Sequence, residues 1–416
     1  MLKQRRVGLT VLLIAAFLAA AVFGWWWQSK VRQGRYRDLL SAFYVMGVLK
    51  VSYYQPVSVH TLLETYWRSG NISGMLKVLH DPYTRYLDRN AYAELKKETQ
   101  GSFGGIGVYL IPKEDQLIIS SVVKGSPGAR AGLQQGDQIV QVGDQWVKRL
   151  SAEAAIAKIR GPVGSAVQMR ISRGDGPDRH EFVVRVMREN IVIPTVEMTT
   201  RWDAQVGKIA FIKISQFAET TPQDLAAKLA ITDGDTAYHG LVLDLRANPG
   251  GALEAAHKVA SHFIPAGAPI IHIQRRGYPE EVLSAERYQH RRLPMVVLVD
   301  SWSASASEIV AGAIKDQKRA ILVGTHTFGK DLIQEVKELP GDSAITVTIA
   351  SYLTSGRVNI HKKGVQPDRL VEIPGAMEKL LKTGDTKLFQ KMQQSQEAAA
   401  IRALRDQIGL SAQKAG

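Results

Sequence analysis

Hydrophobic and polar positions fall along this chain in distinct textures. Val7 to Trp27 is a run of 21 consecutive uncharged, mostly apolar positions behind Lys3, Arg5 and Arg6. As a helix rising about 1.5 Å per residue it approaches the roughly 30 Å of a bilayer's hydrocarbon core, which predicts a transmembrane segment. Ala19-Ala20-Ala21 offers the competing reading, a signal-peptide cleavage site, while Trp25, Trp26 and Trp27 suit an anchor because tryptophan prefers the membrane interface. Tyr36 to Lys50 and Val59 to Leu79 carry helical apolar stripes, separated by the helix-breaking Pro56. From Gly101 to about Asn190 short β-rich runs alternate with glycine turns, from GGIGVYL to HEFVVRVM, and one helix-like segment, SAEAAIAKIRG, lies among them. Between 207 and 370, apolar runs of buried-strand length (GKIAFIKIS, GLVLDLR, MVVLVD, AILVG, AITVTIASYL) alternate with helical patterns at 252–263 and 306–317. That order predicts an α/β core. The tail beyond Pro374, rich in Ala, Gln, Lys and Leu, predicts further helix that packs on the core, mediates dimerisation or stays mobile.

These textures set the expected organisation: a membrane anchor or uncleaved signal at 1–30, a helical N-terminal region at 31–100, a β-rich module at 101–190, an α/β core at 191–374 and a helical tail at 375–416. Composition changes this little. With no cysteine, disulfides, thiolate catalysis and cysteine-based metal sites are excluded. The 53 Lys and Arg against 39 Asp and Glu leave a net charge of +14. No nucleic-acid motif accompanies it, and several of the cations flank the apolar run, so attraction to an anionic membrane surface is the better reading.

Candidate chemistry concentrates in Asp300 to Gln334. Ser305 stands where the strand-like MVVLVD gives way to a helix, so its hydroxyl lies near free N–H groups and the positive end of a helix dipole. The same residues, Ser305 to Glu308, also spell a capping box. Lys330 follows a second apolar run and a glycine-containing turn. As a base near neutral pH it needs its pKa lowered by about 3 units, which burial supplies; the ordinary reading is a solvated loop lysine. Asn248-Pro249-Gly250-Gly251 closes a third apolar run, and its glycines let backbone N–H groups face a ligand or simply make a strand-to-helix turn.

Together these segments resemble the carboxyl-terminal processing, or tail-specific, serine peptidases that carry a PDZ domain. The resemblance covers most of residues 36 to 370 and rests on DPYTRYL at 81–87, FGGIGV at 103–108, LDLRANPGG at 243–251, SASASEIVAGAIKD at 303–316 and TFGK at 327–330. It implies a crotonase-like α/β catalytic core with an inserted PDZ domain. Family spacing places the nucleophile on Ser305 rather than Ser303 or Ser307, with Lys330 as general base, Gln334 orienting the lysine amine, and Gly250 or Gly251 with Ala306 as the oxyanion hole. Some members implicate an aspartate at the position of Asp316 instead. Gly105-Ile106-Gly107-Val108, with the pattern GSPGARAGLQQGDQIVQVGD at 125–144, resembles a PDZ carboxylate-binding loop, and Arg160 is a candidate regulatory residue. No metal or organic cofactor is expected. The implied partners are proteins or peptides with free C-terminal tails and, by analogy, a second copy of the chain; the implied location is the cell membrane, single-pass, with an extracytoplasmic catalytic domain. Three departures from the family pattern stand out: Asp331 where glycine usually follows the lysine, His326 as a rival partner for Ser305, and SYLTSGR at 351–357 without its usual proline. Asp331 motivates the alternative, a catalytically silent membrane-anchored PDZ adaptor.

Overall fold

Two sheet-centred units account for the described residues of the chain. The computed structural model describes residues 39–415 except 101, 114–115, 124, 175–178, 193, 289, 291 and 376–385. The expected membrane segment at 7–27 therefore lies outside the described residues; among those described, no helix is long and apolar enough to cross a membrane.

The first unit comprises the described residues up to Glu94 together with Ile271–Leu283 and Asp331–Asn359. Its spine is the strand Ser343–Thr354, which pairs antiparallel with Arg85–Leu87, Leu332–Leu339 and Pro269–Arg275. The helix Leu39–Ser52 buries Ala42, Val45, Met46 and Leu49, and these pack with Leu62, Tyr66 and Met75 against Ile345 and Val347. The helix expected over 59–79 is instead two, Val59–Ser69 and Ile72–Leu76. Gly70 takes a left-handed conformation (φ 71°) and donates to Tyr66 O, which stops the first helix. Asn71 then starts the second by accepting the Gly74 N–H at 2.7 Å. Within DPYTRYL, Asp81 accepts the Tyr83 N–H at 2.9 Å and the Thr84 hydroxyl at 2.7 Å, so that aspartate shapes the turn entering Arg85–Leu87.

The second unit comprises Leu95–Ile270, Ser284–Lys330 and the described residues from Ile360 on. One part is β-rich: strands Val108–Lys113, Gln116–Val122, Gln138–Val142, Ala166–Arg173 and His180–Met187 form an antiparallel sheet in that order, with the helix Ala152–Ile159 beside it. The other part is a six-stranded sheet in the order Val196–Asp203, Gly207–Ile214, Tyr238–Asp244, Met295–Val299, Ile321–Gly324, Arg369–Leu370. Its first pair is antiparallel and every later pair is parallel. All five residues of Met295–Val299 are buried, as expected of a central parallel strand covered on both faces.

The tail forms one helix, Thr386–Ala415, and it docks on this sheet. Ala399, Ala400, Ala403 and Leu404 lie against Val206, Ile209, Val242, Val296 and Leu298. Arg246, only 4% exposed, holds the helix in place by donating to Asp244 Oδ2 (2.6 Å), Glu397 Oε1 (3.0 Å) and the Gln393 carbonyl (3.0 Å). Arg405 reaches back to Asp203 Oδ2 at 2.6 Å and holds that carboxyl down near a pKa of about 2.

Candidate active site

Three neighbouring parallel strands, Tyr238–Asp244, Met295–Val299 and Ile321–Gly324, run in the same direction, so the chain leaves all of them at one edge of the sheet. In open α/β sheets that carboxyl edge is where ligands bind. The departing segments carry Asn248-Pro249-Gly250-Gly251, Ser303 to Ala306, and Thr327 to Lys330.

Buried polar groups stitch the first two segments together. Asp300, 1% exposed, accepts the N–H groups of Ala247 (3.0 Å), Trp302 (3.0 Å) and Ser303 (3.1 Å); burial pushes its carboxyl up, against the pull of these donors. Ser303 donates its hydroxyl to Leu245 O at 2.8 Å, and Ser307 donates to Asn248 O at 2.9 Å. Both serines are fully buried. Their hydroxyls hold backbone, while Ser305 between them is half-buried.

The backbone of Ser305 is the most telling feature. Its φ of 54° and ψ of −112° lie in a region that side-chain-bearing residues rarely occupy. An ordinary N-cap has an extended backbone, so capping alone does not explain it. Such a conformation costs about 1–3 kcal/mol and persists at functional turns, as at the strained strand-to-helix elbow of α/β-hydrolases. Immediately after it, Ala306 heads the helix Ala306–Asp316, where its N–H has no intrahelical carbonyl.

Glu308 ties this elbow to the lysine segment. It is fully buried, and its carboxylate accepts the Ser305 N–H (2.9 Å), the Thr327 hydroxyl (2.5 Å), the Gly329 N–H (2.6 Å) and the Lys330 N–H (2.9 Å). Burial pushes its carboxyl up while these donors pull it down, and burial wins. Phe328 N–H adds a bond to Ser303 O at 3.1 Å. The backbones of Ser305 and Lys330 are thus fixed by a single carboxylate. The capping box was legible in the sequence; its extension to a loop more than twenty residues away was not.

The glycine turn closes on the elbow from the other side. A Cβ on Gly250 would lie 2.9 Å from Ser305 Cβ and 3.0 Å from Ala306 N, so only glycine fits there. The Gly250 N–H is committed to Asn248 Oδ1 at 2.9 Å, and its place in the expected oxyanion hole is withdrawn on that ground. Gly251 forms a parallel bridge with Phe217 that uses Gly250 O and Ala252 N, leaving the Gly251 N–H out of the ladder. Gly251→Ala is expected to destabilise the protein by about 3 kcal/mol in a urea melt, because its Cβ would sit 2.2 Å from Phe217 O at a φ of 144°.

Comparison with known proteins places this arrangement. The profile of Peptidase family S41 matches residues 208–371, and that of a PDZ domain matches residues 118–173. The chain is 34% identical over 356 residues to the carboxy-terminal processing protease CtpA of Bacillus subtilis, covering 83% of this chain and 73% of that protein. The chain belongs to peptidase family S41. More specifically, it is a carboxyl-terminal processing serine peptidase with a PDZ domain. The carboxyl-terminal-processing protease of Synechocystis is 37% identical over 306 residues, 73% of this chain and 70% of that one. Among solved structures, a photosystem II D1 C-terminal processing protease superposes with a TM-score of 0.51 at 28% identity, covering 80% of this chain and 92% of the other.

The remaining expected residues of this S41 peptidase distribute as follows. Lys330 is half-buried at the end of its segment. Gln334 belongs to the first unit, on Leu332–Leu339 opposite Thr348, and its Nε2 is a buried donor with no partner among the described residues. Asp331 is buried in that unit near Tyr54, whose hydroxyl pKa is raised first by burial and then by Asp81, with Asp331 adding to it. His326, the rival partner for Ser305, is exposed. Asp316 ends the helix that Ala306 begins, so about 15 Å of helix separates it from Ser305.

In the PDZ domain, Gly105, Ile106, Gly107 and Val108 line a groove of about 230 Å³ with Ile156, Ile159 and Arg160. Val108–Lys113 is an edge strand of its sheet. The carbonyls of Ile106 and Gly107 are taken up by the N–H groups of Gly128 (2.7 Å) and Val123 (2.9 Å). Each planar trans peptide therefore turns the following N–H, of Gly107 and Val108, the opposite way.

Proposed function

We propose that this S41 peptidase cuts peptide bonds with a Ser305–Lys330 dyad after its PDZ groove captures the free C-terminus of a protein tail. The observation that carries the reading is the strained Ser305 elbow, held at the head of its helix with Gly250 pressed against it and Glu308 bonded to the Ser305 and Lys330 amides.

Ser305 Oγ attacks the scissile carbonyl carbon while a neutral Lys330 amine takes the hydroxyl proton. The N–H groups of Ala306 and Gly251 receive the developing oxyanion, each worth about 3–4 kcal/mol in the transition state. Lys330 returns its proton to the leaving amine, and water then releases the acyl group by the same route in reverse. Gln334, on the strand Leu332–Leu339, is the residue to which the family resemblance assigns the orienting of this amine. This acyl-transfer chemistry requires no metal or organic cofactor.

At the PDZ groove, the Gly107 and Val108 amides suit a terminal carboxylate, the open edge of Val108–Lys113 suits an added peptide strand, and the apolar lining suits an apolar last side chain. Ile156→Asp, or amidation of the substrate's C-terminus, is expected to raise KM for a tail peptide at least tenfold and to change kcat much less. Steady-state kinetics check this; an unchanged KM in both would remove the groove from substrate capture. Arg160→Ala tests coupling of groove to peptidase in the same assay.

The apolar run at 7–27 supports a single-pass tether; cations flank it on both sides, so the extracytoplasmic placement of the catalytic domain rests on the short N-terminal flank and the family resemblance. Leu40 (85% exposed) and Val51 (73%), with Phe43 and Tyr44, form an uncovered apolar face on the helix Leu39–Ser52 that suits a second copy of the chain.

A further inference from the structure

Away from the dyad, the helix Leu253–Ser261 carries Glu254 and His257 three residues apart, on one face by helical spacing. Glu286, from the segment that follows the strand Glu281–Ser284, joins them: one ligand atom from each of the three side chains lies within 4.8 Å of the other two. We propose that Glu254, His257 and Glu286 form a binding site for a zinc-class divalent cation.

His257 is the centre of this cluster. It is 7% exposed, and its Nε2 lies 2.7 Å from the carbonyl oxygen of Ser284. A carbonyl only accepts, so Nε2 carries the hydrogen, and in the neutral ring Nδ1 then bears the lone pair. That Nδ1 is buried and has no hydrogen-bond partner among the described residues. The nearest carboxylate oxygen of Glu286 is 3.8 Å away, too long for a hydrogen bond. In the neutral ring this buried acceptor and the two neighbouring carboxylates are all electron-pair donors, a set that a shared cation would satisfy. Two carboxylate oxygens and an imidazole nitrogen supply three protein ligands and leave a fourth position for water, a ligand number and chemistry that zinc accepts. The buried imidazole at the centre favours zinc, cobalt or nickel over magnesium and calcium, which prefer oxygen.

Each ligand is also supported from behind. Ser284 O fixes the ring of His257, the Tyr288 hydroxyl donates to Glu286 Oε2 at 3.1 Å, and Lys258 Nζ lies 3.1 Å from Glu254 Oε1. The Glu286 backbone is tied to the same helix, since its N–H donates to Ser261 Oγ at 3.0 Å and that hydroxyl donates to His257 O at 2.8 Å. The exposed Lys258 pair is weak and yields to a dication. A bound ion clamps the first turns of this helix to the Ser284–Glu286 segment. The helix starts two residues after Gly251, so the clamp steadies the turn that offers an oxyanion donor without entering the chemistry.

The test uses the full chain carrying Ser305→Ala, which removes self-digestion, stripped of metal with a chelator and titrated calorimetrically with zinc chloride. One zinc per chain is expected, not displaced by equimolar magnesium, together with an upward shift in Tm. Glu254→Gln and Glu286→Gln, both at exposed positions, are each expected to weaken binding at least tenfold and to abolish the Tm shift, while their metal-free melts match the parent. The His257 Nδ1 resonance is expected to move on zinc addition and its Nε2–H to persist. Absence of stoichiometric binding, or zinc affinity unchanged in both glutamine variants, would overturn the site. These readouts are independent of peptidase activity.

Discussion

Replacing Ser305 by alanine is expected to lower turnover of a C-terminal-tail peptide by on the order of 10⁴-fold or more, as loss of a nucleophile does in other serine hydrolases. The glycine variant separates nucleophile from helix cap more sharply. Ser305→Gly is expected to be as inactive as the alanine variant yet to raise stability by about 1 kcal/mol, because glycine relieves the strain of a φ of 54°. A serine that served only as an N-cap would behave oppositely, costing a few tenths of a kcal/mol on change to glycine. Urea melts of the two variants beside their activities decide between the readings. A glycine variant less stable than the parent would mean that the elbow is not strained in solution.

The second large effect belongs to Glu308. Glu308→Ala is expected to cost about 4 kcal/mol or more and at least 100-fold in kcat/KM. It strands the N–H groups of Ser305, Gly329 and Lys330 and the Thr327 hydroxyl in a dry environment, where each unsatisfied donor costs about 1–3 kcal/mol. Glu308→Gln fills the volume but turns an amide NH₂ toward donors, so it is expected to recover packing without recovering rate. The informative comparison is therefore kcat at a temperature where the glutamine variant is fully folded. Activity equal to the parent there would confine Glu308 to stability and detach it from the geometry of the proposed dyad.

The residues legible from the sequence are those whose signal is local. The change of period from strand to helix marked the place of Ser305, but family spacing was needed to choose it over Ser303 and Ser307, and the PDZ loop stood out only through the longer pattern at 125–144. The supports of the site were not. Asp300 sits at the end of an unbroken apolar strand and shows no periodicity of its own, yet it fixes the backbone of Ala247, some fifty residues away. Asn248 was read as part of a turn, although its side chain spans from Gly250 N–H to Ile214 O and so holds that turn to another strand. Arg246 had the same fate: inside LDLR it reads as a strand terminus, while its buried guanidinium ties down the C-terminal helix. The tail's choice of docking on the sheet was set by small residues at 399, 400 and 403, which let the helix approach Val242 and Val296 closely; their low hydrophobicity made the pattern faint. In each case the missing information is a long-range partner, which periodicity does not encode.

The central claim is that Ser305 is a nucleophile that Lys330 activates, and covalent labelling tests it most directly. The full chain would be treated with a fluorophosphonate and the adduct mapped by mass spectrometry, in the parent, Ser305→Ala and Lys330→Ala. One adduct is expected on Ser305, absent from the alanine variant at 305 and formed far more slowly without the lysine, with tail-peptide cleavage falling in step. Cleavage that survives Ser305→Ala, or labelling of Ser305 at the parent rate in Lys330→Ala, would contradict it.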